Sequence, residues 1–272
     1  MSGWEGEGFC IEGLRCGVGC PCNPGMDTTS APGPKGKSPG MMPEIPRVVP
    51  FALFLVIGAM AGKGFEGSEY WMYVVKTVAV GALLWWWRDR IREMRWAFSV
   101  EGVLVGVGIA VLWVGLTGVI PSLGRLWDLG RQLVDGTPIP PEKPVKGWNP
   151  VEYFAGQPLL GWGMVLVRVL GRSLVVPAME EVFYRSFVYR YVIKPDFESV
   201  ALGTRHVMAW LATSALFGLS HPDHWLQAIV CGAAYQWLVI RKGRLGDAMV
   251  AHAVTNLLIS GYAIGTGRWE FS

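Results

Sequence analysis

Residues 174–193 read LVVPAMEEVFYRSFVYRYVI. Apolar side chains dominate this stretch, yet Glu180 and Glu181 stand side by side within it. A charged group at the centre of a hydrocarbon layer costs about 3 kcal/mol on insertion scales, and adjacent carboxylates repel each other. Ionisable groups in such a setting mark a site more often than a scaffold. The stretch therefore sets two expectations: a helix in a membrane, and chemistry part-way along it.

Composition supports the membrane half of that expectation. The chain has 272 residues, 51% of them apolar and 17% charged, where soluble domains carry about 25% charged residues. Its mean hydropathy is +0.34. The 14 Trp and 36 Gly suit helices that pack closely and anchor at interfaces. A net charge of +3 is too small to argue for a nucleic-acid partner, so the lipid bilayer is the expected surroundings. No internal repeat is visible.

Working outward, apolar runs cover roughly 48–62, 70–87, 100–120, 207–220, 225–240 and 247–265. Residues 159–193 form either one bent span or two helices split at Pro177. A spanning helix needs about 20 residues, with about 17 as a minimum, so the shorter runs predict buried or tilted helices. The expected fold is all-α: a polytopic integral membrane helical bundle with seven or eight membrane helices. Trp85, Trp86 and Trp87 read as an interfacial belt. Arg88, Arg90, Arg92 and Arg95, with Arg241, Lys242 and Arg244, place their loops in the cytoplasm by the positive-inside rule. The N-terminus joins them, near Lys35, Lys37 and Arg47. The Pro-rich segment 121–158 is then a long outward loop.

Residues 1–45 differ from the rest. They are rich in Gly and Pro and hold Cys10, Cys16, Cys20 and Cys22. The C-x5-C-x3-C-x-C spacing matches no zinc pattern, so the segment reads as a disordered tail. Met41 and Met42 offer an alternative start just before the first apolar run. Residues 46–268 are the expected helical domain. No secretory signal peptide is seen, because the first apolar run begins near Val48 and lacks a cleavage site. Cys231, in an apolar helix, reads as packing.

Glu181 and Arg185 are four apart, share a helix face and can pair. Glu180 points about 100° away, free to face a cavity as a general base or metal ligand. Pro177 would open a helix, placing Glu180 in its favourable first turn. The bland alternative is a buried Glu–Arg pair stapling two helices. Phe217 and His221 close another apolar segment, with Asp223 and His224 in the turn beyond Pro222. A lone His there is more often an interface residue. His252 and Asn256 share a face of the last apolar segment, where the bland alternative is an interhelical hydrogen bond worth about 1 kcal/mol. Arg168 and Arg172 could meet lipid head groups or a substrate carboxylate, but snorkelling to the interface is the default reading. Tyr184 and Tyr189 read as core or interface aromatics. The glycines around Gly106 and Gly108 read as helix packing rather than phosphate binding.

EEVFYR, FGLSH and HAVTN match the patterns EExxxR, FxxxH and HxxxN. In order and spacing the set resembles the CPBP family of intramembrane proteases, the CAAX-prenyl-protease and bacteriocin-processing group often called Abi. The resemblance covers about residues 160–260. It implies a fold of about eight membrane helices and hydrolysis of a peptide bond in a cavity within the membrane, on a membrane-associated or lipid-modified protein or peptide. By matched position, Glu180 with His221 would activate the water. His252 and Asn256 would hold the water or stabilise the oxyanion, and Glu181 and Arg185 would support the site. Glu180, His221 and His252 would also make a three-ligand set for one divalent metal, zinc, with an open fourth position. A metal-free glutamate mechanism needs only Glu180 and Asn256. The expected location is the plasma (inner) membrane of a prokaryote. Two other classes stay open: a non-catalytic bacteriocin-immunity or partner-binding protein, and a proton or ion pathway, for which the repeated halves of a transporter are not seen.

Overall fold

The computed structural model describes residues 41–141 and 147–271. The tail expected over 1–45 lies outside them up to Gly40, as do its four cysteines, Lys35 and Lys37. The described residues are helical and contain no strand, which bears out the all-α class. In chain order the helices are α1 (Ile45–Met60), α2 (Ser68–Trp87), α3 (Val100–Leu116), α4 (Leu123–Asp135), the short α5 (Pro150–Tyr153), α6 (Pro158–Ile193), α7 (Val207–Leu219), α8 (Trp225–Lys242) and α9 (Gly246–Thr266). Two of them, α6 and α9, are long and apolar enough to cross a membrane; α1, α3 and α7 are shorter apolar helices. Large apolar side chains face outward on several helices, including Leu104 and Val111 on α3 and Leu211 on α7. Such exposure suits lipid rather than water.

α6 decides between the two readings of 159–193: it is one continuous helix of 36 residues. At about 1.5 Å per residue it is roughly 54 Å long, more than a hydrocarbon layer of about 30 Å. It tolerates Pro177 by changing register. Residues Gly171–Val175 and Val182–Val188 are wound as π-helix, and the glutamates sit on the α-helical turn between them, Val176–Glu181. The Val176 N–H reaches back five residues to the Gly171 carbonyl. In that register the next donor would be residue 177, aimed at the Arg172 carbonyl, but proline has no N–H. Glu180 therefore does not lie in the first turn of a separate helix, and the expected help from a helix N-terminus lapses.

The segment 121–158 is not the long loop expected. It holds α4 and α5. Ser122 caps α4 by accepting from Arg125 N at 3.1 Å, and Gly136, at φ 71°, closes it in the left-handed region. The neighbouring prolines masked this amphipathic pattern of Leu126, Trp127, Leu133 and Val134 alternating with Arg125, Asp128 and Arg131. Of the expected tryptophan belt, Trp85 and Trp86 face outward while Trp87 is buried.

The core gathers α6, α7, α8 and α9 around Met179, Val182, Tyr184, Phe217, Tyr235, Leu238 and Met249. α3 lies along α9. Gly106 makes that approach possible, because a Cβ there would run into the Ala251 carbonyl oxygen. Gly108 faces open space, so only the first of these glycines packs as expected.

One end of the bundle is tied by a buried ion cluster. Glu93 Oε1 accepts from Arg47 Nε at 2.8 Å and Arg190 Nη2 at 3.2 Å, and also from the Ser186 hydroxyl. Arg47 reaches Glu198 as well, at 3.2 Å. Burial, the largest influence, pushes the Glu93 carboxyl up, but the hydrogen bond and charge of Arg47, with Ser186, outweigh it and hold it below the usual range. A carboxyl lowered by folding contributes stability above its unfolded value of about 4.3 and loses it as pH falls through the folded one. Glu93→Gln should therefore cost about 3 kcal/mol at pH 7, since it leaves two buried arginines short of an anion. Thermal melts from pH 7 to pH 3 should show a lower starting Tm and a shallower acid loss for the variant. Superimposable profiles would remove Glu93 from the account of stability.

Candidate active site

The structure brings Glu180, His221, His252 and Asn256 to the wall of one cavity of about 260 Å³. They come from α6, the turn after α7, and α9. Seventy-two residues and a helix pair separate Glu180 from His252 in the chain, so the site exists only when α9 packs against α6.

Glu181 is fully buried. Its Oε2 lies 3.1 Å from Arg185 Nε, but no aligned hydrogen bond joins them, so this is a charge contact. Arg185 is buried among aromatic rings, its guanidinium carbon 4.7 Å from the Phe217 ring centre. A ring face tolerates a cation that water cannot reach. The other Glu181 oxygen, Oε1, lies 3.0 Å from His252 Nδ1. A carboxylate there fixes the proton on Nδ1, leaving Nε2 as the free lone pair. His252 Nε2 in turn lies 3.9 Å from Glu180 Oε2, a gap that a water can bridge. The Tyr235 ring lies beside His252, 5.2 Å between centres, and the Tyr235 hydroxyl donates to Thr255 Oγ1 at 2.7 Å.

Glu180 is buried, and its Oε2 has no hydrogen-bond partner among the described residues. A buried carboxylate oxygen without a partner is expensive. It is the atom best placed to take a ligand. His221 follows the end of α7, with Nδ1 3.0 Å from the Phe217 carbonyl oxygen. That contact puts the ring proton on Nδ1 and again frees Nε2. Asn256 donates through Nδ2 to the Arg172 carbonyl at 2.8 Å. This is the carbonyl that Pro177 leaves without a backbone donor. Proline thus creates the acceptor that orients Asn256, and one amide N–H remains for the cavity.

Two sequence expectations change here. Arg168 and Arg172 do not snorkel to an interface: both line the cavity. They are joined there by Lys76, the one charge in the apolar run 70–87; that isolation was a signal of its own. Second, the expected zinc set is not assembled. The donor types suit zinc, but among the described residues no three His, Cys, Asp or Glu side chains gather closely enough to hold a metal. Cys231 also lines the cavity, buried, as a packing residue. Tyr184 and Tyr189 are core residues.

Residues 162–258 match the family model described as type II CAAX prenyl endopeptidase Rce1-like. That match supports a CPBP-type, CAAX intramembrane protease domain over this part of the chain. The Rce1-like domain runs from early α6 into α9 and includes every residue of the three motifs. α1 to α5 lie outside it, although Lys76 on α2 reaches its cavity. No curated protein and no solved structure matches the chain.

Proposed function

We propose that this protein is an intramembrane endopeptidase that hydrolyses a peptide bond of a membrane-associated or lipid-modified protein, with Glu180 as the base. The observation that carries the reading is the unpartnered, buried Oε2 of Glu180 facing a cavity shared with His221, His252 and Asn256. A water held between Glu180 Oε2 and His252 Nε2 gives one proton to Glu180 as its oxygen bonds to the scissile carbonyl carbon. The spare Asn256 N–H stabilises the oxyanion. The carbon–nitrogen bond then breaks, and Glu180 returns the proton to the leaving amine. Glu181 and Arg185 keep His252 in the tautomer this needs.

The same reading takes α1, α2, α3, α6, α7, α8 and α9 as seven spans, with α6 crossing once. Arg88, Arg90, Arg92, Arg95, Arg241, Lys242 and Arg244 lie at one end of that bundle, which the positive-inside rule makes cytoplasmic. The other end, with α4 and α5, faces outward.

Purified protein in liposomes, given a prenylated CAAX-type peptide in 18O-labelled water, should yield a product with label in its new C-terminal carboxyl group. Absence of product across a panel of membrane peptides would count against proteolysis. The assay repeated with a chelator addresses the metal. Full activity in metal-free buffer is expected from the geometry, and loss restored by zinc would overturn the metal-free step.

A further inference from the structure

The polarity of α4 is reversed relative to a helix on the surface of a water-soluble domain. At about 100° per residue, Leu123, Leu126, Trp127, Leu133 and Val134 fall within an arc of about 120°. Arg125, Asp128, Arg131 and Asp135 occupy the opposite side. The apolar side is turned away from the protein: Trp127 is 71% exposed, Leu133 87% and Val134 88%. No residue of α4 is buried. The polar side is turned inward instead. There Arg125 and Asp128 line a basin of about 740 Å³ with Asp223, His224, Arg268 and Glu270. In water, burial of apolar surface would favour the opposite arrangement. The basin adjoins the catalytic cavity. Trp113 lines that cavity, and its ring centre lies 5.9 Å from that of His221 and 5.3 Å from that of His224.

Position, continuity and charge indicate what covers the apolar side. α3 runs away from the arginines at 88–95, and α8 runs towards Arg241 and Lys242, so Leu116 and Trp225 mark the opposite end of the bundle. At that end Trp225 Nε1 donates to the Pro121 carbonyl at 3.1 Å, just before α4 begins. α4 meets the rest of the molecule chiefly at the turn Pro222–His224, whereas a helix laid along the spans would touch them through its length. Its 13 residues make roughly 20 Å of helix, too short to cross a hydrocarbon layer of about 30 Å. The outward strip of α3, formed by Val100, Leu104, Val107 and Val111, is followed in the chain by exposed Val119 and then by this face. Arg125 and Arg131 balance Asp128 and Asp135, which suits zwitterionic head groups rather than an anionic surface. Trp127 is a residue type favoured at that boundary.

We propose that α4 is an interfacial helix whose apolar face docks on the head-group layer of the bilayer that the spans cross. A helix of this kind sinks its apolar side by about 5–10 Å. Seated so, α4 keeps the basin on its polar side at the water boundary. It also fixes how far the catalytic cavity behind Trp113 lies below the head groups. The inference goes beyond the endopeptidase reading and stands without it.

The test places a fluorophore on each side of α4 in the full-length protein. Cys10, Cys16, Cys20 and Cys22 are changed to Ser, and Leu133→Cys or Arg131→Cys is introduced and labelled with an NBD dye. Protein without an engineered cysteine supplies the blank for Cys231. In phosphatidylcholine liposomes the dye is quenched in turn by lipid carrying a doxyl group near the head group, by lipid carrying it at the chain end, and by aqueous iodide. Lipid quenching should be about threefold or more stronger for Leu133→Cys than for Arg131→Cys, and strongest with the shallow doxyl group. Iodide should give the reverse order. Val134→Cys, on the same face as Leu133, carries the same expectation and keeps the test decisive should Leu133→Cys insert poorly. Equal quenching on the two sides overturns the proposal, as does iodide quenching of the Leu133 and Val134 positions without lipid quenching. Protection of those positions from both lipid and iodide, as a second copy of this chain or another protein would give, also overturns it. So does quenching strongest at the chain end, or lipid contact that appears only when phosphatidylglycerol is added.

Discussion

Glu180→Gln is expected to abolish peptide cleavage while the protein inserts, folds and melts as the wild type does. The substitution keeps the shape of the side chain and removes its ability to take a proton. General-base catalysis contributes about 10²- to 10⁴-fold, so turnover should fall by at least that factor. Stability should hold because Glu180 Oε2 carries no internal hydrogen bond to lose, and a neutral amide is easier to bury than a carboxylate. The measurement pairs a cleavage assay in liposomes with a thermal melt. Full activity in the variant would sink the assignment of Glu180 as base and bring the immunity reading forward. Loss of activity with a collapsed melt would show that Glu180 serves the fold.

Glu181→Gln should behave differently, because Glu181 has two tasks. One oxygen faces Arg185 and the other faces His252. Neutralising it leaves Arg185 buried without its counter-charge, which costs about 3–5 kcal/mol. It also releases the His252 tautomer, and losing a carboxylate that orients a histidine costs roughly 10- to 100-fold in function by analogy with metal sites. Glu181→Gln and Arg185→Met should each lower the Tm, and the double variant should be less destabilised than the sum of the two. Activity should not recover with stability, since His252 remains unoriented. A double variant that regains both would show that Glu181 only balances Arg185. Additive destabilisation would show that the pair is not coupled.

Much of the fold was legible because its causes are local. Apolar runs marked the helices at 48–62, 70–87 and 100–120 within a few residues. The spacing of Glu181 and Arg185 already implied their contact, as one helix face requires. What stayed hidden depended on partners distant in the chain. Nothing near His252 announces that its Nδ1 meets Glu181, and nothing near Asn256 announces the Arg172 carbonyl. Pro177 left one bent span and two separate helices both open, because proline ends or kinks helices; the π turns that absorb it leave no trace in hydropathy. α4 was lost in the expected loop because Pro138, Pro140 and Pro141 follow it. Arg168 and Arg172 were read as snorkelling because a single chain cannot show which face of α6 its neighbours cover.

The dependence of the cavity on α9 has a consequence in time. Ribosomes release α6 with Glu180 and Arg185 long before Gly246 emerges, and His252 and Asn256 follow only on the last long helix. Until then Glu181 lacks His252, and the Arg172 carbonyl lacks the amide that satisfies it. The cavity is therefore completed only once α9 has been made, and on the proposed reading a nascent chain stalled before residue 246 carries the base with nothing to orient its water.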